Sequence, residues 1–137
     1  MNPAGRSSEN PARNAEVRTV LVVEDELLLR MGVADYLRDC GYHVVEADNG
    51  DEAVGVLQSD ARIDVVFTDI TMPGTLNGFG LAQWVRRERP EVRVILTSGI
   101  SRTAQEARDL CAHGPLVAKP YDYGEVERHI RALLARP

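Results

Sequence analysis

The stretch VLVVEDE at residues 20–26 decides the fold of this chain, together with VVFTDITMPG at residues 65–74. In each stretch, a short run of apolar and β-branched residues gives way abruptly to carboxylates. A near-continuous apolar run is typical of a strand that is buried on both faces, as in a parallel sheet covered by helices. The two stretches therefore predict an α/β protein with acidic residues at the carboxyl ends of central strands.

Outward from these stretches, short apolar runs alternate with helical patterns five times. The predicted strands are TVLVV (19–23), YHVVEA (42–47), IDVVFT (63–68), VRVILT (92–97) and PLVA (115–118). Apolar residues between them recur at helical spacing, which predicts five helices. Three of these helices start at a pair that resembles a capping box: Asn49 with Glu52, Thr103 with Glu106, and Asp122 with Glu125. The alternation predicts a doubly wound, five-stranded parallel sheet.

Length and composition fit one domain. The chain has 137 residues, of which 44% are hydrophobic and 27% charged, and its formal net charge is -5. Residues 1–17 contain Pro, Gly, Ser and Asn with few apolar residues, so we expect a disordered tail there and one folded domain over residues 18–137. The acidic balance predicts no binding to nucleic acid or anionic lipid. The sequence has no apolar run of the length of a signal sequence or membrane span, which predicts a cytoplasmic protein.

Polar side chains follow several of the predicted strands. Glu24 and Asp25 follow the first strand, Asp69 the third, Thr97 ends the fourth and Lys119 follows the fifth. Strand carboxyl ends meet at one edge of a parallel sheet, so the three carboxylates should converge and repel one another without a proton or a cation. Mg²⁺, which takes one or two carboxylates and keeps waters, suits such a group, although the acids taken alone could simply cap helices.

Lys119 and Thr97 favour one kind of chemistry at this edge. An ammonium and a hydroxyl beside a carboxylate can each contact an oxygen of a phosphoryl group. Taken singly, a lysine is more often a surface charge, and a threonine is a common strand residue. Their joint placement with Asp69 predicts that Asp69 accepts a phosphoryl group.

With the segments VLVVEDE, VVFTDITMPG, VILTSG and AKPY in this order, the sequence strongly resembles the receiver domain of two-component response regulators. The resemblance covers about residues 18–135. It implies a flavodoxin-like sheet of strand order 2-1-3-4-5 with five helices, and phosphoryl transfer from a histidine kinase or a histidine phosphotransfer protein. It also implies a stand-alone receiver that signals by phosphorylation-dependent binding of a downstream protein, and whose only catalysis is its own phosphorylation and dephosphorylation.

The resemblance also assigns a metal site. Asp25 matches the direct Mg²⁺ ligand, and Glu24 matches the acid that usually reaches the metal through water. Asp69 and the backbone carbonyl of Thr71 complete the implied ligand set.

Three further residues correspond to the parts of the family's phosphoryl site. Asp69 matches the nucleophile that becomes an aspartyl phosphate, Lys119 matches the lysine that contacts the phosphoryl group, and Thr97 matches the hydroxyl that moves toward it. The bond before Pro120 corresponds to one that is commonly cis in the family.

Two departures from the family pattern bear on these expectations. The segment from Met72 to Gly78 is one residue longer than usual, which leaves the start of the third helix open. Leu116 replaces an aromatic residue that follows the movement of the threonine, so we expect coupling to run through the backbone at residues 98–100 instead.

Two other functions fit parts of the pattern. A small phosphatase resembling haloacid-dehalogenase hydrolases also uses a strand-end aspartate, a lysine and Mg²⁺, but it needs a second aspartate where this chain has Thr71. Flavin binding fits the architecture alone, but acidic residues occupy the loop that would bind the flavin phosphate. Tyr121 is the candidate for a partner surface, Trp84 is expected to pack in the core, and Cys40 is expected to be a partly buried thiol.

Overall fold

Five parallel strands form one sheet in the structure, a computed structural model that describes residues 17–99 and 114–136. The strands are β1 (Thr19–Val23), β2 (His43–Ala47), β3 (Val65–Asp69), β4 (Arg93–Ser98) and β5 (Leu116–Ala118). Their order is β2-β1-β3-β4-β5, and every neighbouring pair is parallel. The predicted sheet and its strand order are confirmed.

Four helices lie within the described residues: α1 (Leu27–Asp39), α2 (Gly50–Gln58), α3 (Gly78–Glu88) and α4 (Tyr123–Leu134). The helix predicted to start near Thr103 lies outside the described residues, so α4 is the last of the five predicted helices. Residues 1–16 of the predicted tail also lie outside them. Among the described helices, none combines the length and the apolar character that crossing a bilayer requires.

Alternation along the central strands divides the core between two faces of the sheet. Successive side chains of a strand point to opposite faces, and both β1 and β3 are buried along their whole length. Leu21 and Val66 face α2 and α3, whereas Val20 and Phe67 face α1 and α4. Helices therefore cover both faces, as the apolar runs predicted.

The start of α2 and the end of α1 follow from short-range chemistry. Asn49 accepts a hydrogen bond from the backbone N–H of Glu52 at 2.8 Å, as the predicted capping pair requires. The Glu52 carboxylate accepts from the backbone N–H of Asp48, one residue before the N-cap, rather than from that of Asn49. Gly41 follows α1 with a φ of 101°, a conformation that glycine adopts without steric cost.

Three side chains outside the site can be compared with expectation. Trp84 packs against the core, as predicted. Cys40 is exposed, so the expectation of a partly buried thiol was wrong; it occupies the C-cap of α1, beyond the last turn that faces the sheet. Tyr121 is half-buried, with its ring edge-on to Phe67 at a centroid distance of 5.5 Å, so much of it serves packing.

Candidate functional site

The carboxyl ends of four adjacent strands bring the predicted residues together. Glu24 follows β1, Asp69 ends β3, and Lys119 follows β5. Thr97 lies opposite Asp69 in the register of β3 and β4. Because all four strands run in the same direction, their ends share one edge of the sheet, and residues far apart in sequence become neighbours.

Asp69 lies at the centre of this group and is only 6% exposed. Lys119 Nζ donates to its Oδ2 at 2.9 Å, and the backbone N–H of Thr71 donates to its Oδ1 at 3.2 Å. Lys119 Nζ also donates to Glu24 Oε1 at 3.0 Å. One ammonium thus bridges two buried carboxylates, and Lys119 lies at the same edge of the sheet as Asp69. Its contact with a phosphoryl group stays a prediction.

The acidic group fits a hard divalent cation. One carboxylate oxygen from each of Glu24, Asp25 and Asp69 can be chosen so that all lie within 4.8 Å of one another. Asp25 is exposed, and within the described part of the chain its carboxylate has no hydrogen bond or ion pair. Three carboxylates face one ammonium, so negative charge remains in excess, and oxygen ligands of this kind are those that Mg²⁺ prefers.

The environment of Glu24 opposes a full negative charge. Burial raises the pKa of its carboxyl group above the usual value, and the nearby Asp69 charge adds to this effect. The backbone N–H of Glu26, at 3.0 Å from Oε2, and the Lys119 ammonium act in the opposite direction without cancelling it. Extra positive charge at this edge would therefore stabilise the ionised form of Glu24.

Lys119 stays protonated in this setting. Burial alone would lower the pKa of its ammonium, but the hydrogen bonds to Asp69 and Glu24 outweigh burial and raise it. The Lys119–Pro120 peptide bond is cis, as the resemblance implied.

Thr97 carries an unused hydroxyl. Thr97 is 1% exposed. Among the described residues, its buried Oγ1 has no hydrogen-bond partner. Buried hydroxyl groups are nearly always bonded, so an orphaned one points to a partner that arrives later.

The long segment between β3 and α3 ends at Asn77, which answers the question left open by its extra residue. The helix starts at Gly78, and the Asn77 side chain caps it by accepting from Gly80 N–H at 2.8 Å. A Cβ at position 78 would overlap the backbone carbonyl of Asp69, so this loop closes directly against the central aspartate. Sequence reasoning missed Gly78, although an Asn-Gly pair is a recognisable turn signal.

Leu116 is half-buried against the core face that α2 and α3 cover, and it lies opposite Leu96 in the register of β4 and β5. Of the backbone expected to couple Asp69 to the surface, Ser98 and Gly99 are described, and Ile100 lies outside the described residues. The route of coupling stays a prediction.

The model of the family named response regulator receiver domain matches residues 20–131. A probable transcriptional regulator, ycf27 of Guillardia theta, is 35% identical over 85% of this chain and 45% of its own length. The transcriptional regulatory protein PdtaR of Mycobacterium tuberculosis is 36% identical over 87% of this chain and 58% of its own length. The chain thus spans about half the length of these curated relatives.

Two of the solved structures with the same fold and above 25% identity illustrate the similarity. A response regulator receiver protein of Pseudomonas putida is 30% identical, with a TM-score of 0.76, over 85% of this chain and 97% of its own. The response regulator TrrA of Thermotoga maritima, solved in complex with Mg²⁺ and BeF, is 27% identical with a TM-score of 0.75, over 85% of this chain and 99% of its own.

Proposed function

Because the chain belongs to the response regulator receiver domain family of two-component systems, we propose that it accepts a phosphoryl group on Asp69 from a phosphorylated histidine. The observation that carries the proposal is the arrangement of buried Asp69 between the Lys119 ammonium and two further carboxylates at the sheet edge. Phosphoryl transfer requires a nucleophilic carboxylate beside a positively charged hydrogen-bond donor and a group that binds a cation.

In the proposed transfer, a carboxylate oxygen of Asp69 forms a bond to phosphorus while the bond between phosphorus and the donor imidazole nitrogen breaks. The electron pair of that bond stays with the imidazole. Lys119, which now contacts Asp69 and Glu24, has an ammonium with three donors and can turn one of them to a phosphoryl oxygen. Its charge offsets the charge that the incoming group adds.

The acidic group would hold Mg²⁺ through Asp25, Asp69 and the Thr71 carbonyl, with Glu24 acting through water. When bound there, Mg²⁺ would supply the positive charge that the carboxylates and the phosphoryl oxygens share. Thr97 would then give its unpartnered hydroxyl to the phosphoryl group, and this movement would start the change that a downstream protein recognises.

The start of α1 offers a surface for a protein donor. Leu27, Leu28 and Met31 are exposed apolar residues, with Leu28 as much as 79% exposed, and they follow directly on the acidic residues. A phosphohistidine that reaches Asp69 would bring its own protein against the loops around the site, and the start of α1 offers the exposed apolar side chains among them. Leu28→Asp should therefore slow transfer from a histidine phosphotransfer protein and leave phosphorylation by acetyl phosphate unchanged; equal effects on both donors would exclude this surface.

The decisive experiment is incubation with Mg²⁺ and acetyl phosphate, followed by mass spectrometry of the intact protein and of its peptides. We expect one added phosphoryl group, located on Asp69, and none in Asp69→Asn. Asp60→Asn is a matched control, because Asp60 is an exposed carboxylate outside the site, and it should be labelled like the wild type. Label that persists in Asp69→Asn would overturn the proposal.

The phosphatase alternative has less support. It needs a carboxylate two residues after the nucleophile, where Thr71 instead directs its backbone N–H to Asp69.

The names of the curated relatives include transcriptional regulators, and the expected absence of nucleic-acid binding stays a prediction.

A further inference from the structure

The acidic turn before α1 is not fixed in the way that the other helix starts are. Glu26 is the N-cap residue of α1, and its side chain makes no capping hydrogen bond. The other three described helices each begin at a capping side chain, from Asn49, Asn77 and Asp122. The turn that carries Glu24 and Asp25 is held instead by Glu24 Oε2, which accepts from the Glu26 backbone N–H at 3.0 Å, and by a contact from within the helix.

Arg30, one turn into α1, supplies that contact. Its NH1 donates to the backbone carbonyl of Glu24 at 2.8 Å and to Asp48 Oδ1 at 3.1 Å, and its Nε donates to Glu46 Oε1 at 3.2 Å. The side chain is only 14% exposed. Hydrogen bonds from a charged donor are among the stronger ones, and the planar guanidinium serves several acceptors in fixed directions.

The bonded carbonyl is part of the peptide unit that joins Glu24 to Asp25. Because a peptide unit is planar, fixing its carbonyl oxygen also fixes the N–H and the Cα of Asp25. A rotation of this unit would turn the Asp25 side chain away from Glu24 and Asp69. Arg30 thus acts on the geometry of the acidic group through the backbone.

The charge of Arg30 is used elsewhere. Its guanidinium is paired with Glu46 and Asp48, both at the end of β2, and the described contacts include none with the carboxylates of Glu24, Asp25 or Asp69. Arg30 therefore does not neutralise the carboxylates of the acidic group.

We propose that Arg30 is a positioning residue for the Mg²⁺ site, which it holds in a binding geometry by fixing the Glu24–Asp25 peptide unit. The inference rests on the proposed function, because the Mg²⁺ site serves phosphoryl transfer there. It is tested by measuring Mg²⁺ affinity, which does not require transfer to occur. Outer-shell partners of metal ligands usually contribute about 10–100-fold to affinity.

Arg38 provides a matched control on the same network. Its NH2 donates to the other oxygen of Glu46 at 3.2 Å and to the Val44 carbonyl at 3.1 Å. It shares the partner carboxylate with Arg30 but has no contact with the acidic turn.

The test compares Arg30→Met with Arg38→Met, since methionine keeps an apolar stem and removes every donor. Mg²⁺ affinity is measured by calorimetric titration, and stability by urea unfolding in EDTA. We expect Arg30→Met to weaken Mg²⁺ binding about tenfold, at the lower end of the outer-shell range, and Arg38→Met to leave it unchanged. At saturating Mg²⁺, phosphorylation of Arg30→Met by acetyl phosphate should return toward the wild-type rate.

Arg30→Lys keeps the test decisive if the methionine variant does not fold. One ammonium can serve the Glu24 carbonyl or Glu46 but cannot reproduce the fork, so its Mg²⁺ affinity should fall by about threefold, part of the outer-shell contribution. Wild-type affinity in a folded Arg30 variant, or an equal loss in Arg38→Met, would overturn the inference. If Asp69 takes up no label while Mg²⁺ affinity still depends on Arg30, only the proposed function fails.

Discussion

The N-termini of α1 and α2 follow neighbouring strands, β1 and β2, and yet the acidic residues at the two helix starts have opposite roles. At α2, Asn49 and Glu52 cap the helix, and Asp51 and Glu52 lie in its first turn. At α1, the N-cap side chain makes no hydrogen bond, and the first turn contains no acidic residue. Acidic side chains at a helix start normally satisfy free N–H groups and complement the helix dipole. The carboxylates before α1 are instead gathered at the sheet edge.

This difference separates a helix start that stabilises the fold from one that serves chemistry. Carboxylates gathered at one edge repel one another, and the ammonium of Lys119, directly after β5, limits that cost. Arg30 of α1 instead bonds the backbone of the acidic turn. Proteins commonly break a local stability rule where a functional site requires it. Mg²⁺ affinity and unfolding free energy test this separation, because a residue that serves chemistry and a residue that serves the fold affect them differently.

Asp25→Ala should have the largest effect, and only on metal binding. We expect Mg²⁺ affinity to fall about a hundredfold, the upper end of what even outer-shell changes cause, which corresponds to about 2.8 kcal/mol. Stability in EDTA should stay the same or rise, because one of three like charges is removed. Calorimetric titration and urea unfolding measure the two quantities; a large stability loss in EDTA would mean that Asp25 serves the fold.

Lys119→Met should destabilise the metal-free protein by about 2 kcal/mol, because removing one partner of a buried ion pair leaves charge uncompensated. This is less than the roughly 3–5 kcal/mol of a fully buried pair, since the Lys119 side chain is 22% exposed. The side chains of Glu24 and Asp69 are 4% and 8% exposed, so water cannot replace the ammonium fully. Millimolar Mg²⁺ should recover much of the loss, since it offsets the same carboxylates. Urea unfolding with and without Mg²⁺ is the measurement.

Adding Asp69→Asn to Lys119→Met is the internal control. The two substitutions should be less than additive, because the second removes the charge that the first leaves unpaired. A stability loss that is the same with Mg²⁺ and in EDTA would show that Lys119 acts through packing alone.

The sequence alone predicts much of the contrast between the two helix starts, because both depend on local patterns and on strand direction. Apolar runs that end in carboxylates mark central strands, and strand direction then forces Glu24, Asp69 and Lys119 to one edge. The contacts of Lys119 with Glu24 and Asp69 bear this out. The cap at Asn49 is likewise local chemistry, and its side chain accepts from Glu52 N–H as predicted.

What sequence could not supply depends on contacts between separate elements. Arg30 reads as a surface cation on an amphipathic helix until the sheet order places Glu46 and Asp48 beside it. The close approach of Gly78 to Asp69 depends on how the long loop folds back, and no periodic pattern encodes that path. Cys40 has helical core spacing, but it falls one residue beyond the helix end.

Asn49→Ala should destabilise the protein by about 1 kcal/mol, the usual cost of losing a capping side chain. Mg²⁺ affinity should not change, because Asn49 has no contact with the acidic group. Asn49→Ala should thus lower stability without changing Mg²⁺ affinity, the opposite of what we expect for Asp25→Ala. Urea unfolding in EDTA and calorimetric titration measure the two quantities. Weakened Mg²⁺ binding in Asn49→Ala would mean that the two helix starts are not independent.

Glu26→Asp should have the smallest effect, a gain of about 0.5 kcal/mol in unfolding free energy. Glu26 has the extended backbone of an N-cap residue, with φ of -83° and ψ of 107°, but its long side chain makes no capping bond. Aspartate keeps the negative charge near the helix start, and its shorter side chain suits acceptance from a first-turn N–H. The Glu26 backbone N–H would still donate to Glu24, so Mg²⁺ affinity should be unchanged.

Glu26→Gln is the control for this substitution, because it removes the charge and keeps the length that prevents capping. Comparison of urea midpoints at constant slope resolves a difference of this size better than extrapolated free energies do. A gain in Glu26→Asp but not in Glu26→Gln would show that α1 forgoes stability that the removal of a single methylene would restore. If both variants were as stable as the wild type, the uncapped start of α1 would have no energetic cost, and the contrast with α2 would be one of geometry only.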